Sequence, residues 1–250
     1  MKNRQSPAAL LALIAAVAYS FIPCFARASP PSASPADAGV LSPHTGSPQR
    51  RAAVAGLAAL VARLPESASG ATGIRRIFGI ADDRTLEHAT VGEGFETYFI
   101  DPKALLAGKL LGDSLYGSNE WRFIVMANGE GVGLITVAPL NGAWIMVEAG
   151  ANALARETAS VAARYEQQTP RPALRFVRSP QAVADFIEVR PAGTTDAKSK
   201  GIQPAYVPLM SARSTVADVA APAAALSDAQ LDDALRQSVG RGMRDIRVGH

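Results

Sequence analysis

WRFIVMANGEGVGLITVAPLNGAWIMVE, residues Trp121 to Glu148, spells three β-strands joined by two tight turns. Asn128-Gly129 and Asn141-Gly142 interrupt runs rich in β-branched and aromatic residues, and Asn-Gly supplies the positive φ angles that two-residue hairpin turns need. Both hairpins are therefore expected to be antiparallel. In the first strand Trp121, Phe123 and Val125 fall on one face and Arg122, Ile124 and Met126 on the other. The middle strand, Val132 to Val137, is apolar on both faces apart from Gly133 and Thr136, as for a strand covered above and below. Trp144 to Val147 return as the third strand, which ends at Glu148.

Outward from this meander the chain alternates helices and strands. Arg50 to Leu64 carries Val54, Leu57, Val61 and Leu64 at helical spacing and stops at Pro65. Pro65 to Gly73 reads as a loop, and Asp82 to Ala89 as a short helix with an aspartate cap and Leu86 facing inward. Phe95 to Ile100 is a strand, Asp101-Pro102 opens a short helix through Leu111, and Gly112 to Glu120 is a polar loop. Beyond the meander, Asn152 to Gln167 is a helix with Leu154, Thr158, Val161 and Tyr165 along one side. Ala173 to Arg178 and Ala182 to Arg190 follow as strands, the second with a helical alternative. Pro191 to Gln203 is loose, Ala205 to Met210 is a short strand, and Val216 to Ala225 is a connection. Leu226 to Val239 is a helix opened by a Ser227/Gln230 capping box. The expected fold is one α+β domain over residues 50–239. Its antiparallel sheet of five to seven strands has a central meander at about 121–148 and helices packed on one face. Residues 240–250 are expected to form a flexible basic tail.

The amino terminus has the pattern of an export signal. Lys2 and Arg4 precede an uncharged run from Gln5 to Ala26, and Ala26-Arg27-Ala28 offers a small-x-small cleavage site. Residues 1–28 are thus expected to be a signal peptide, and the Pro/Ser/Ala-rich residues 29–49 a linker. The expected location is periplasmic or secreted. An uncleaved anchor in the inner membrane, with the domain outside the cytoplasm, is the alternative. Lipidation at Cys24 is disfavoured by the bulky Ile22-Pro23 before it. Cys24 is the single cysteine, so cleavage after Ala28 leaves neither disulfide nor thiol chemistry. Lys2, Arg4 and Arg27 leave with the signal, which lowers 25 basic side chains to 22 against 22 acidic ones. A mature chain so balanced gives no footprint for nucleic acid or an anionic membrane surface.

No residue stands out as catalytic. Of three histidines, His44 lies in the linker and His250 is the last residue, which leaves His88 for the folded part. No serine sits in a nucleophile elbow beside it. No cysteine or histidine cluster suits a metal, and the acids lack calcium-loop spacing. Gly92-Glu93-Gly94 and Gly129-Glu130-Gly131-Val132-Gly133 lack the lysine and the strand-to-helix setting of a phosphate loop, and the second is better read as a hairpin turn. Glu120 and Glu148 bracket the meander but are expected at opposite ends of the sheet, about 20 Å apart, with Glu148 near the start of the following helix. Phe95, Tyr98, Phe99, Tyr116, Trp121 and Trp144 gather on the sheet as core or groove. Arg122, Arg175 and Arg178 lie on strands, where an uncovered face would offer them to an anion. The sequence therefore assigns no catalytic residue, metal ligand or cofactor, and names no ligand-binding residue.

The runs EGFETYFIDPKALLAG, WRFIVMANGEGVGLITVAPLNGAWIMVEAGANALARE and LRFVRSPQAVADFIEV resemble a domain that recurs in exported bacterial proteins with no assigned activity. The resemblance implies an exported globular module and transfers no functional residue. The expected function is a non-catalytic binding or interaction module of the periplasm or cell envelope, with a protein or small-molecule partner. The alternative is a hydrolase of cell-envelope material built on carboxylates, for which Glu93, Glu96, Glu120 or Glu148 would have to share one deep pocket.

Overall fold

The computed structural model describes residues 46–64, 68–192, 203–217 and 224–248. The expected signal peptide, most of the expected linker and most of the loose segment after Pro191 lie outside the described residues. The strands are β1 (Thr90–Ile100), β2 (Leu115–Ala127), β3 (Glu130–Leu140), β4 (Ala143–Gly150), β5 (Ala173–Ser179), β6 (Ala184–Arg190), β7 (Ala205–Pro208) and the two-residue β8 (Leu226–Ser227). They form one eight-stranded sheet in the order β4-β3-β2-β1-β5-β6-β7-β8. Every neighbouring pair is antiparallel except β1 and β5, which run parallel over Thr97 to Phe99. The α+β class holds, but the meander is not central. It occupies one end of a mixed sheet and leaves β4 at the edge.

The turns follow their chemistry. Asn128 and Gly129 take φ of 52° and 80°, and Asn141 and Gly142 take 52° and 82°, the left-handed pair a two-residue hairpin requires. Two strands begin earlier than expected. β1 starts at Thr90 and contains Gly92 and Gly94, while β2 starts at Leu115 after a short 3-10 turn at Gly112–Ser114. A bulge between Val91 and Gly94 explains the first. Its carbonyls at Val91 and Gly92 accept two N–H bonds from the Arg50 guanidinium, at 2.5 and 2.7 Å.

Helices cover both faces of the sheet, not one. The alternation of β2 shows why, since neighbouring residues enter different cores. Phe123 and Val125 pack with Ala53, Leu57 and Leu60 of α1 (Pro48–Ala62) and with Phe78 of α2 (Ala68–Phe78). Ile124 packs instead with Ala155, Val161 and Tyr165 of α5 (Asn152–Glu166). Three short helices are α3 (Asp83–Glu87, capped by Asp82), α4 (Pro102–Leu106, capped by Asp101) and α6 (Met210–Arg213). The long α7 (Asp228–Val248) lies on the α1 face, where Leu231, Leu235 and Val239 meet Val177, Phe186 and Tyr206.

Several helix expectations shift. α1 buries Ala53, Leu57 and Leu60, with Leu64 buried just past its end, and leaves Val54 half exposed, so its stripe is turned from the one read by spacing. The stretch read as a loop after Pro65 becomes α2, whose glycines hid it. Gln230 accepts the Ser227 N–H at 2.9 Å, as the capping box predicts. The helix then continues through Gly240 and Gly242 to Val248, where a frayed tail was expected. Glycine lowers helix propensity without stopping a helix that is already anchored.

Candidate functional site

Two polar constellations lie on opposite faces of the sheet, each built around an arginine stacked on an aromatic ring. The first is on the α5 face. α5 covers the end of that face formed by Ile124, Met126 and Leu134, and leaves the other end of β2, β3 and β4 bare. There Tyr116, Leu140, Ile145 and Val147 are exposed by 53%, 54%, 38% and 51%. Ile145 and Val147 point away from α1 because Trp144, Met146 and Ala149 pack toward it. A bulge opposite Thr136 and Val137 adds Glu148 to the same side. Among the described residues no strand pairs with the outer edge of β4.

Arg122 stands at the boundary of the covered and bare halves. It is 4% exposed, and its guanidinium lies 4.9 Å from the centre of the Phe176 ring. Among the described residues its one hydrogen bond runs from Nη2 to Glu148 Oε2 at 3.4 Å, and its buried Nε–H has no partner. The Thr136 hydroxyl donates to the same Glu148 oxygen at 3.3 Å. Burial lowers the Arg122 pKa from its ordinary value, and the nearby positive charge of Arg178 lowers it further, against the opposing pull of Glu148, Asp185 and Glu120. Arg178 is paired, with Nε donating to Asp185 Oδ1 at 2.8 Å while Ser211 donates to Oδ2 at 3.0 Å. Between the two arginines, the fully buried Thr97 has a hydroxyl with no partner among the described residues.

The second constellation is on the α1 face, between α1 and α7. Register places Arg175, Glu188 and Tyr206 in one row across β5, β6 and β7. The Arg175 guanidinium stacks 4.3 Å from the centre of the Tyr98 ring and pairs with Glu188 Oε2 at 3.6 Å. Tyr206 donates to Glu188 Oε1 at 3.4 Å, and Asp228 at the start of α7 also lies within reach of that hydroxyl. Asp228 accepts the Gly112 N–H at 3.3 Å. Burial raises the Glu188 carboxyl above its ordinary range, with Arg175 and Arg190 acting against it. Burial raises Asp228 as well, opposed by the Gly112 bond. Arg175 Nε, Glu188 Oε2, Asp228 Oδ1 and Asp232 Oδ1 are all buried without a hydrogen-bond partner among the described residues. Tyr206 is fully buried and Glu188 is 3% exposed, so these two groups are closed to a substrate.

The carboxylates singled out by the sequence do not share a pocket. Glu93 pairs with Arg171, Glu96 accepts from Tyr98, and Glu148 pairs with Arg122. Glu120 and Glu148 are not at opposite ends of the sheet, because β2 begins well before Trp121 and places Glu120 inside the strand. Both charges act on Arg122. Nor does Glu148 cap α5, whose first residue Asn152 instead ties down Phe78 and Val132 through their carbonyls. His88 closes α3 at the surface, beside Asp82, Arg84, Thr85 and Asn128. Glu188, Tyr206 and Asp228 carried no motif, since their meeting depends on strand register and on where α7 begins. Among the described residues no three metal-binding side chains converge, and no helix is long and apolar enough to cross a membrane.

Compared with known proteins, the chain matches no family model, and no curated protein or solved structure matches it significantly.

Proposed function

We propose that this chain is an exported, non-catalytic binding module of the periplasm or cell envelope, and that it takes an extended segment of a partner polypeptide along β4. The observation that carries this reading is the row Leu140, Ile145 and Val147, exposed beside a sheet edge with no described neighbour. Such an edge offers unpaired backbone groups for affinity and side-chain sites at alternate positions for selectivity. An extended segment suits it better than a second copy. The bulge at Val147 and Glu148 interrupts the edge, so two copies related by a two-fold axis would pair over Ala143 to Met146 alone. Export is supported by the amino-terminal signal pattern. The carboxylate hydrolase is the weaker reading, because Glu93, Glu96 and Glu148 are each held by a different partner.

Selection of a displayed random-peptide library against the folded chain tests this reading. Binders are expected to carry apolar residues at alternate positions and to slow hydrogen exchange at the β4 amides. They should lose about tenfold or more in affinity toward Ile145→Lys, a loss of roughly 1.4 kcal/mol. Binders that leave β4 amides unprotected would overturn the reading, as would a wild-type dimer that Ile145→Lys dissociates.

A further inference from the structure

We infer that Arg122, with Arg178 beside it, forms a binding site for one anionic oxygen group, a carboxylate or a phosphate, and that Glu148 stands in for that group in the free chain. The inference does not rest on the β4 reading, because it concerns the floor of the bare face and not its edge.

The first support is a deficit. A guanidinium carries five N–H donors in a planar fork matched to a two-oxygen acceptor. Arg122 is almost fully buried, yet one donor alone is engaged, at 3.4 Å, and Nε–H is left without a partner among the described residues. A buried charge so poorly matched is costly, and the mismatch marks a place where an acceptor fits. The second support is the nature of the present partner. The Glu148 side chain is 65% exposed and sits on the bulged edge strand. It offers a single oxygen, Oε2, to Arg122 and Thr136 together. A carboxylate so exposed is exchanged for another anion at little cost, since exposed ion pairs contribute roughly 1 kcal/mol or less.

Charge and shape agree with this. Once Glu148 swings out, Arg178 remains neutralised by Asp185, and Arg122 is left as an unmatched cation over the Phe176 ring. Thr136 then has a free hydroxyl, and Thr97 already has one between the two arginines. Glu120 adds a weaker negative influence from the same strand as Arg122. Ile145 and Val147 are exposed on β4 next to Glu148, so a ligand with an apolar body behind its anionic group would be favoured over a bare ion.

The test follows the Arg122 Nε–H resonance by NMR while acetate or inorganic phosphate is added to the folded chain, with chloride at matched ionic strength as the control. A saturable shift with a half-point below about 10 mM is expected for at least one of the two probes. Whichever saturates distinguishes a carboxylate source from a phosphate source. Glu148→Gln removes the internal competitor and should tighten that half-point by about five- to tenfold, whereas a merely structural ion pair would show no such gain. Arg122→Met keeps side-chain length over Phe176 and should fold while losing the probe-dependent rise in melting temperature. If Arg122→Met does not fold, the resonance and the Glu148→Gln comparison decide alone. A shift that never saturates beyond the chloride control would overturn the inference, as would a Glu148→Gln variant that binds no more tightly.

Discussion

Exchange of Glu188 for glutamine is expected to leave stability near about pH 4 almost unchanged and to raise it above the wild type near about pH 8, by roughly 1 kcal/mol or more. The cause is the number of acceptors around one hydroxyl. Tyr206 has a single proton to donate, and both Glu188 and Asp228 lie within its reach. The remaining cation facing Glu188 across the row is Arg175, at 3.6 Å, with Arg190 acting from the same strand. Burial therefore outweighs attraction and raises the Glu188 carboxyl above its unfolded value. The sign of the pH effect follows. A folded-state pKa above the unfolded one gives stability that is complete below the unfolded value, about 4.3 for glutamate, and is lost as pH rises through the folded value. Glutamine mimics the protonated acid, keeps an acceptor for Tyr206, and has no charge to lose. Asp228→Asn should act in the same direction but less, because the Gly112 N–H already favours the Asp228 carboxylate. Urea denaturation across this pH range checks both. A Glu188→Gln variant less stable than the wild type near pH 8 would mean that the Arg175 pair dominates over burial.

Local chemistry made the meander legible, and long-range register hid the rest. Asn128-Gly129 and Asn141-Gly142 fixed two hairpins because their φ angles are set by the residues themselves. Asp82, Asp101 and Gln230 marked helix starts for the same local reason. The parallel contact of β1 with β5 carried no such mark, since it depends on where α5 returns the chain. The two-sided covering was written in β2, where Phe123 and Ile124 are both apolar. It was legible in the middle strand too, apolar on both faces, yet the helices were expected on one face alone. Arg122, Arg175 and Arg178 were visible as strand arginines, but nothing local said which would be buried or which ring each would meet. Glu188 escaped notice altogether. A glutamate in QAVADFIEV looks like a solvated strand position until Arg175 and Tyr206 fall beside it.

Gly131→Ala is expected to cost about 3 kcal/mol of folding stability, far more than the same change at Gly129 two residues away. The glycines of this turn looked alike in sequence and have three different tasks. Gly129 supplies a φ of 80° with no atom within 4 Å of a would-be side chain, so alanine there meets backbone strain alone, roughly 1 kcal/mol. Gly133 faces the α1 side, where a methyl group would strike the buried Phe78 ring. Gly131 faces α5. A methyl group there would lie 2.6 Å from the Ala155 carbonyl oxygen and 3.0 Å from the Ala159 side chain. The nearest atom is helix backbone, so relief requires α5 to move bodily away from β3 and to loosen the packing of Leu134, Val161 and Tyr165. Trimming Ala159 to glycine would not restore stability, because the carbonyl clash remains. Urea midpoints of Gly131→Ala, Gly129→Ala and the Gly131→Ala/Ala159→Gly pair measure these terms separately. A Gly131→Ala cost no larger than that of Gly129→Ala would mean that α5 is not seated on β3 at this point. The helix that defines the boundary of the bare face, and with it the burial of Arg122, would then have to be placed elsewhere.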